Sequence, residues 1–168
     1  MLRTSLLCCL LTSLSFGVQA KSDLAAYVNP FIGTGAVDNS LSGNNYPGAT
    51  VPFGMVQLSP DTREAPDWAQ ASGYDYNDSI IYGFSHTRLS GTGASDLIDI
   101  LFLPVTELRR QSRFSHEEEY AVPGYYKVHL LDNDIQAELT ASTRCGASLY
   151  LSQGQAFHAL HRPRSFGQ

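Results

Sequence analysis

The sequence predicts an all-β fold, an antiparallel β-sandwich, and three observations carry that expectation. Tyr126, Val128 and Leu130 alternate with Tyr125, Lys127 and His129. The chain turns at Asp132-Asn133-Asp134, and Ile135, Ala137, Leu139 and Ala141 then alternate with Gln136, Glu138, Thr140 and Ser142. An apolar residue at every second position gives each strand one buried and one solvated face. The remaining apolar runs are short and are separated by Gly, Asn, Asp, Ser and Pro, a strand-and-turn rhythm. The composition agrees: only 16% of residues are charged, while 14 Gly, 8 Pro and 9 Tyr favour turns and pleated surfaces over coiled coil or disorder. Two half-buried sheets packed face to face satisfy all three.

The elements follow in chain order. Residues 24–27 form at most a short helical turn before Pro30. Residues 55–58 read as a strand closed by Ser59-Pro60-Asp61, and residues 80–84 as a second. Residues 97–105 are almost continuously apolar and read as a strand buried on both faces. The hairpin comes next. Between these runs lie three long segments, 33–52, 61–79 and 85–96, rich in Gly, aromatics and Asp. Loops of that length in a small domain are commonly functional.

Several function classes are excluded early. A net charge of −5 with scattered Lys and Arg gives no footprint for nucleic acid or anionic lipid. Residues 1–20 read as a signal peptide: Arg3 is the basic start, residues 6–16 the apolar stretch, and Val18-Gln19-Ala20 the cleavage site. That stretch is too short to span a bilayer, so the expectation is a periplasmic or secreted protein without a membrane span. Cys145 alone remains after cleavage, which rules out an internal disulfide in the mature chain.

Three blocks carry a resemblance. The first is Tyr27-Val28-Asn29-Pro30-Phe31-Ile32-Gly33-Thr34-Gly35, followed by Pro47-Gly48-Ala49-Thr50-Val51-Pro52-Phe53-Gly54-Met55-Val56-Gln57-Leu58-Ser59-Pro60-Asp61. The second is Ile81-Tyr82-Gly83-Phe84-Ser85-His86-Thr87-Arg88-Leu89-Ser90-Gly91-Thr92-Gly93-Ala94-Ser95-Asp96. The third is Ala121-Val122-Pro123-Gly124-Tyr125-Tyr126. In this order they resemble the N-terminal domain of family 92 glycoside hydrolases, the calcium-dependent inverting α-mannosidases. The resemblance implies an incomplete N-terminal domain of a two-domain enzyme, a sandwich followed by an (α/α)6 barrel, acting on mannose-containing glycans. It also implies that both catalytic carboxylates and most of the calcium site lie in the missing barrel, so neither a catalytic residue nor a metal ligand is assigned here.

The candidate substrate-binding residues are Trp68, His86, Gly33, Thr34, Gly91, Thr92 and Gly93. Trp68 is the only Trp and offers a ring face for stacking on a sugar, although it could equally plug a sandwich edge. His86 leads into Gly91-Thr92-Gly93, where backbone can approach a partner closely; a structural hydrogen-bonding role is its rival. Gly33-Thr34-Gly35 lacks the context of a phosphate cradle. Asp96 and Asp99 read as turn caps, and Glu117-Glu118-Glu119 as a solvated charge run. Two departures from the family stand out: residues 36–45 are longer and lack His, which bears on sugar preference, and Ile98 stands where Gly is common.

After Gly146 the family pattern stops. The domain expectation is therefore residues 21–146 for a partial sandwich and 147–168 for an out-of-frame or divergent tail. A shift of one base would restore two apolar runs around a turn. On that reading the sandwich lacks the strands after the hairpin, leaving an unpaired edge and a poorly soluble product. The alternatives to an inactive enzyme fragment are a stand-alone carbohydrate-binding module and a frameshifted, non-functional product.

Overall fold

The computed structural model describes residues 23–35, 43–65, 68–98, 100–154 and 156–163. The expected signal peptide therefore lies outside the described residues, as do Asp99 and most of the departing loop. No α-helix occurs among them, and every strand pairing is antiparallel.

Ten strands follow in order: β1 (Ser59–Asp61), β2 (Ile80–Ile81), β3 (Gly83–Ser85), β4 (Ile100–Val105), β5 (Ser112–Arg113), β6 (Glu119–Val122), β7 (Tyr125–Leu130), β8 (Ile135–Ala141), β9 (Gly146–Ser152) and β10 (His158–Pro163). They form one sheet in the order β1-β3-β4-β10, a second in the order β6-β7-β8-β9, and a two-stranded β2-β5 pair. Three short 3-10 turns also occur among the described residues, at Leu24–Tyr27, Trp68–Gln70 and His116–Glu118.

The hairpin forms as its alternation requires. Tyr126 pairs with Leu139, Val128 with Ala137 and Leu130 with Ile135, and all six are fully buried. They meet Phe84, Leu103 and Val105 from the other sheet, with Leu58 just before β1, in one apolar cluster. At the turn Asp134 takes a left-handed φ of 48°, which Asp tolerates better than most residues. Buried Asn133 accepts a hydrogen bond from the Thr106 N–H, tying the turn to the end of β4.

The other strands differ from expectation at their edges. Residues 55–58 form no ladder because their amides find scattered partners: Met55 donates to Thr143, Gln57 to His86 and Leu58 to Ala49. Pairing begins one residue later, in β1, where Pro60 is tolerated because β1 is an edge strand. Residues 80–84 split into β2 and β3, which join different sheets. The corner is Gly83, where a Cβ would sit 3.2 Å from both Leu101 Cβ and the Phe102 carbonyl oxygen. The apolar run 97–105 contributes only Ile100–Val105. Leu97 turns outward at a φ of 71°, and Leu97 and Ile100 are both about half exposed.

The segment after Gly146 is also extended. β9 pairs along all of β8, from Ala141↔Gly146 to Ile135↔Ser152, and β10 pairs along all of β4. The edge expected at β8 is thus filled, and the open edge moves out to β9. Yet β9 adds little core: Tyr150 packs near Phe84 at 6.1 Å, whereas Leu149 and Leu151 remain half exposed.

Candidate functional site

Two adjacent asparagines draw the three long loops together. Asn44 adopts a left-handed φ of 52°, open to Asn because its short polar side chain can bond locally. Its side-chain amide donates to the Trp68 carbonyl at 3.2 Å, its side-chain oxygen accepts from Ala71 N at 2.6 Å, and its own carbonyl accepts from Gly91 N at 2.8 Å. Asn45 repeats the pattern. Its side-chain oxygen accepts from the Ser90 hydroxyl at 2.9 Å, its carbonyl from the Ser72 hydroxyl at 3.0 Å, and its N–H donates to Gly33 O at 3.4 Å.

This arrangement brings most of the sequence candidates to one place. Gly33, at a φ of 75°, leaves room for Asn45: a Cβ there would lie 2.5 Å from the Asn45 amide nitrogen. Gly91 is also left-handed, at 69°, and a Cβ on Gly93 would come within 3.8 Å of the Trp68 carbonyl. Thr92 is exposed at the tip, where its hydroxyl accepts from Ala94 N. Trp68 is 63% exposed although its backbone is pinned by Asn44. The result is a solvent-facing indole on a braced loop cluster, a geometry suited to stacking on the apolar face of a flat, hydroxylated ligand.

Two candidates stand elsewhere. Thr34 is fully buried: its hydroxyl donates to Phe31 O at 2.8 Å and its carbonyl accepts from Tyr76 N. His86 is half-buried, with its ring edge-on to Phe102 at 5.0 Å. It lines a separate cavity of about 290 Å³ with Thr87, Ile100, Phe102 and His161. Burial first, and the Arg88 cation second, lower its pKa against the opposing pull of Asp61, so the ring is neutral at neutral pH.

Beneath the loops lies Arg88, whose side chain is wholly buried. Its guanidinium donates to the carbonyls of Ser59 (2.9 Å) and Ser72 (2.6 Å), to the Ser85 hydroxyl and to the Asp61 carboxylate at 3.3 Å, and it lies 4.9 Å from the Tyr46 ring centroid. One planar cation therefore fastens β1, the end of β3 and the Trp68 loop. Sequence reasoning passed over Arg88, Asn44 and Asn45. The cue available for the asparagines was their position before Pro47-Gly48, since Asn tolerates left-handed turns.

The charge run also divides. Glu117 and Glu118 are exposed, but the Glu119 side chain is completely buried, correcting its reading as solvated. Glu119 accepts hydrogen bonds from the Tyr74 hydroxyl at 3.0 Å and the Tyr126 hydroxyl at 2.6 Å, and it pairs with His116. Among the described residues no group of three or more His, Cys, Asp or Glu side chains converges in a manner able to hold a metal ion.

Fold and site together define an antiparallel β-sandwich module that carries a braced, aromatic-tipped loop cluster. The family model for the glycosyl hydrolase family 92 N-terminal domain matches residues 27–156, continuing past Gly146. The chain belongs to that family. A solved family GH92 alpha-mannosidase from Bacteroides thetaiotaomicron is 42% identical, with a TM-score of 0.70 over 76% of this chain and 18% of its own. A GH92 inverting mannosidase from the same organism is 31% identical, with a TM-score of 0.65 over 77% of this chain and 18% of its own. A protein of Arthroderma benhamiae described as an uncharacterized secreted glycosidase is 28% identical over 79% of this chain and 17% of its own length. The chain thus spans less than a fifth of each of these relatives.

Proposed function

We propose that this chain is the β-sandwich portion of an exported exo-α-mannosidase acting on mannose-containing glycans, and that it contributes a sugar-facing loop cluster centred on Trp68. The observation that carries this reading is the exposed indole of Trp68, whose backbone carbonyl Asn44 holds beside the Gly33 and Gly91 loops. Trp68 is the stacking surface, and Gly33, Gly91, Thr92 and Gly93 offer backbone and hydroxyl groups beside it. Thr34 supports the first loop from within. His86 belongs to the neighbouring Phe102 cavity, where it would meet a ligand or another domain. A relative described as a secreted glycosidase supports export to the periplasm or beyond.

Glycosidic cleavage with inversion needs a carboxylic acid to protonate the leaving oxygen and a carboxylate to activate water, about 6.5–9.5 Å apart. Three buried carboxylates among the described residues are engaged otherwise: Asp61 with Arg88, Asp75 with Arg63 and Asn77, and Glu119 with Tyr74, Tyr126 and His116. On this reading the acid, the base and most calcium ligands belong to the (α/α)6 domain. A hydrolysis assay with an aryl α-mannoside on this chain alone is expected to show no turnover.

The decisive experiment uses the single tryptophan as its own reporter. Titration with a mannose oligosaccharide is expected to change Trp68 fluorescence saturably, and Trp68→Ala is expected to abolish calorimetric binding without moving the thermal midpoint. Unchanged fluorescence at saturating sugar overturns the reading. The exposure of Trp68 in this chain alone also favours a stand-alone carbohydrate-binding module. Tighter binding after fusion to a family barrel supports the first reading, whereas an affinity unchanged by fusion supports the second.

A further inference from the structure

Among the described residues, the outer edges of the two four-stranded sheets are not equally protected. β1 is three residues long and contains Pro60; β6 is four residues long and contains Glu119; β10 contains Arg162 and Pro163. β9 has seven residues, GASLYLS, with neither a charge nor a proline, and it ends its sheet. An exposed strand edge presents a row of backbone donors and acceptors that another strand can satisfy, and charges or prolines are the usual safeguards. β9 lacks both.

Its sequence also says which strand fits. Ser148-Leu149-Tyr150-Leu151-Ser152 reads the same in both directions. Antiparallel pairing about a two-fold axis through Tyr150 sets Tyr150 opposite Tyr150 of a second copy, each Leu149 opposite a Leu151, and each Ser148 opposite a Ser152. A two-fold interface requires this self-complementarity. The faces match as well. Leu149 and Leu151, opposite Glu138 and Gln136 in the register, are 52% and 50% exposed, so four leucines would gather on one face of the joined sheet. Tyr150, on the other face, already packs with Phe84 and Phe157, and a cross-strand aromatic pair would extend that cluster.

We propose that β9 is a homodimerisation edge, joining the four-stranded sheets of two copies into one continuous eight-stranded sheet centred on Tyr150. This interface is independent of the Trp68 loop cluster and of the sugar-binding reading.

The free thiol of Cys145 provides a control. It lies five residues from the axis, so the two thiols would stand about 34 Å apart, and the dimer cannot depend on a disulfide between them. Sedimentation of the full chain in reductant is therefore expected to give twice the chain mass across a concentration series. Leu149→Lys/Leu151→Lys and Leu149→Glu/Leu151→Glu should each halve that mass, and an equimolar mixture of the two should restore it. A second measurement needs no charge on the edge: in a Cys145→Ser background, mixed Leu149→Cys and Leu151→Cys chains should form disulfides faster than either alone. A wild-type chain that stays monomeric overturns the proposal. So does a dimer retained by both charged variants, assembly beyond the dimer, or equal cross-linking in the mixed and single samples.

Discussion

Arg88 shows how much one buried side chain can organise. It holds backbone carbonyls from β1 and the Trp68 loop, and its ionic partner, Asp61, is equally buried. Breaking such a pair from one side strands a charge in a poorly solvating interior, which typically costs about 3–5 kcal/mol. Arg88→Ala is therefore expected to lose stability in that range by urea unfolding, while Arg88→Met with Asp61→Asn should recover much of it. Glu119 sets up a second test. Burial first, and the Glu119 charge next, raise the pKa of both Tyr74 and Tyr126 above 10.0. In the unfolded chain these phenols ionise near 10. Because the folded pKa is the higher one, their contribution is complete below about pH 10 and is lost as pH rises above it. Tyr126→Phe should cost about 1.5–3 kcal/mol at neutral pH, the range for a hydrogen bond to a charged group. Above pH 10 its stability should fall less steeply than the wild type by about 1.4 kcal/mol per pH unit. An unchanged slope would show that Tyr126 ionises normally. At this scale the sequence revealed residue types better than their surroundings. Trp68 and the glycines were legible because their chemistry is rare or permissive. Glu119 was not, because a run of three glutamates looks alike until a 3-10 turn ends and the third side chain swings inward beneath Tyr74 and Tyr126.

At the scale of elements, alternation decided what could be read. β7 and β8 have a two-residue period and a polar turn, and both formed as an antiparallel hairpin with the alternating apolar residues buried. The run 97–105 offered no period, so its limits were invisible: nothing in a string of apolar residues marks where Leu97 leaves the sheet. Nor could residues 80–84 show that Gly83 turns the chain from one sheet into another, since that corner depends on Leu101 and Phe102. β8 and β9 then separate two sources of sheet stability. Leu139 is fully buried between the sheets, whereas Leu149, one strand outward, is half exposed. Leu139→Ala should cost about 2–5 kcal/mol through lost transfer energy and a cavity. Leu149→Ala should stay within about 0.5 kcal/mol in the monomer, as surface changes usually do. Comparable losses at the two positions in chemical denaturation would mean that β9 is packed as deeply as β8.

For the whole molecule, the chain order of the strands matters more than their number. The sheet β1-β3-β4-β10 is closed on one side by the last strand in sequence, so its integrity depends on a segment that follows the complete second sheet. β10 covers β4 from His158↔Val105 to Pro163↔Ile100, and Leu160 packs against the common core. Arg162 adds a clasp, donating to the carbonyls of Tyr82 at 3.0 Å and Arg110 at 2.9 Å, which lie outside that sheet. Without β10, the buried Leu101, Leu103 and Val105 would lie on an edge strand backed only by the three-residue β3 and β1. Ending the chain after Ser152 should therefore remove several ladder hydrogen bonds and part of an aliphatic side chain's burial, about 2–3 kcal/mol together. For a chain of this size that corresponds to a fall of roughly 4–12 °C in Tm. The loss should be shared by both sheets, because Leu103 and Val105 belong to the same apolar cluster as Tyr126, Val128 and Leu139. A single shifted transition, seen equally by tyrosine absorbance and by far-ultraviolet circular dichroism, is the expected outcome. Two separate transitions, or an unshifted midpoint, would mean that the sheets melt independently and that β10 is only laid against β4.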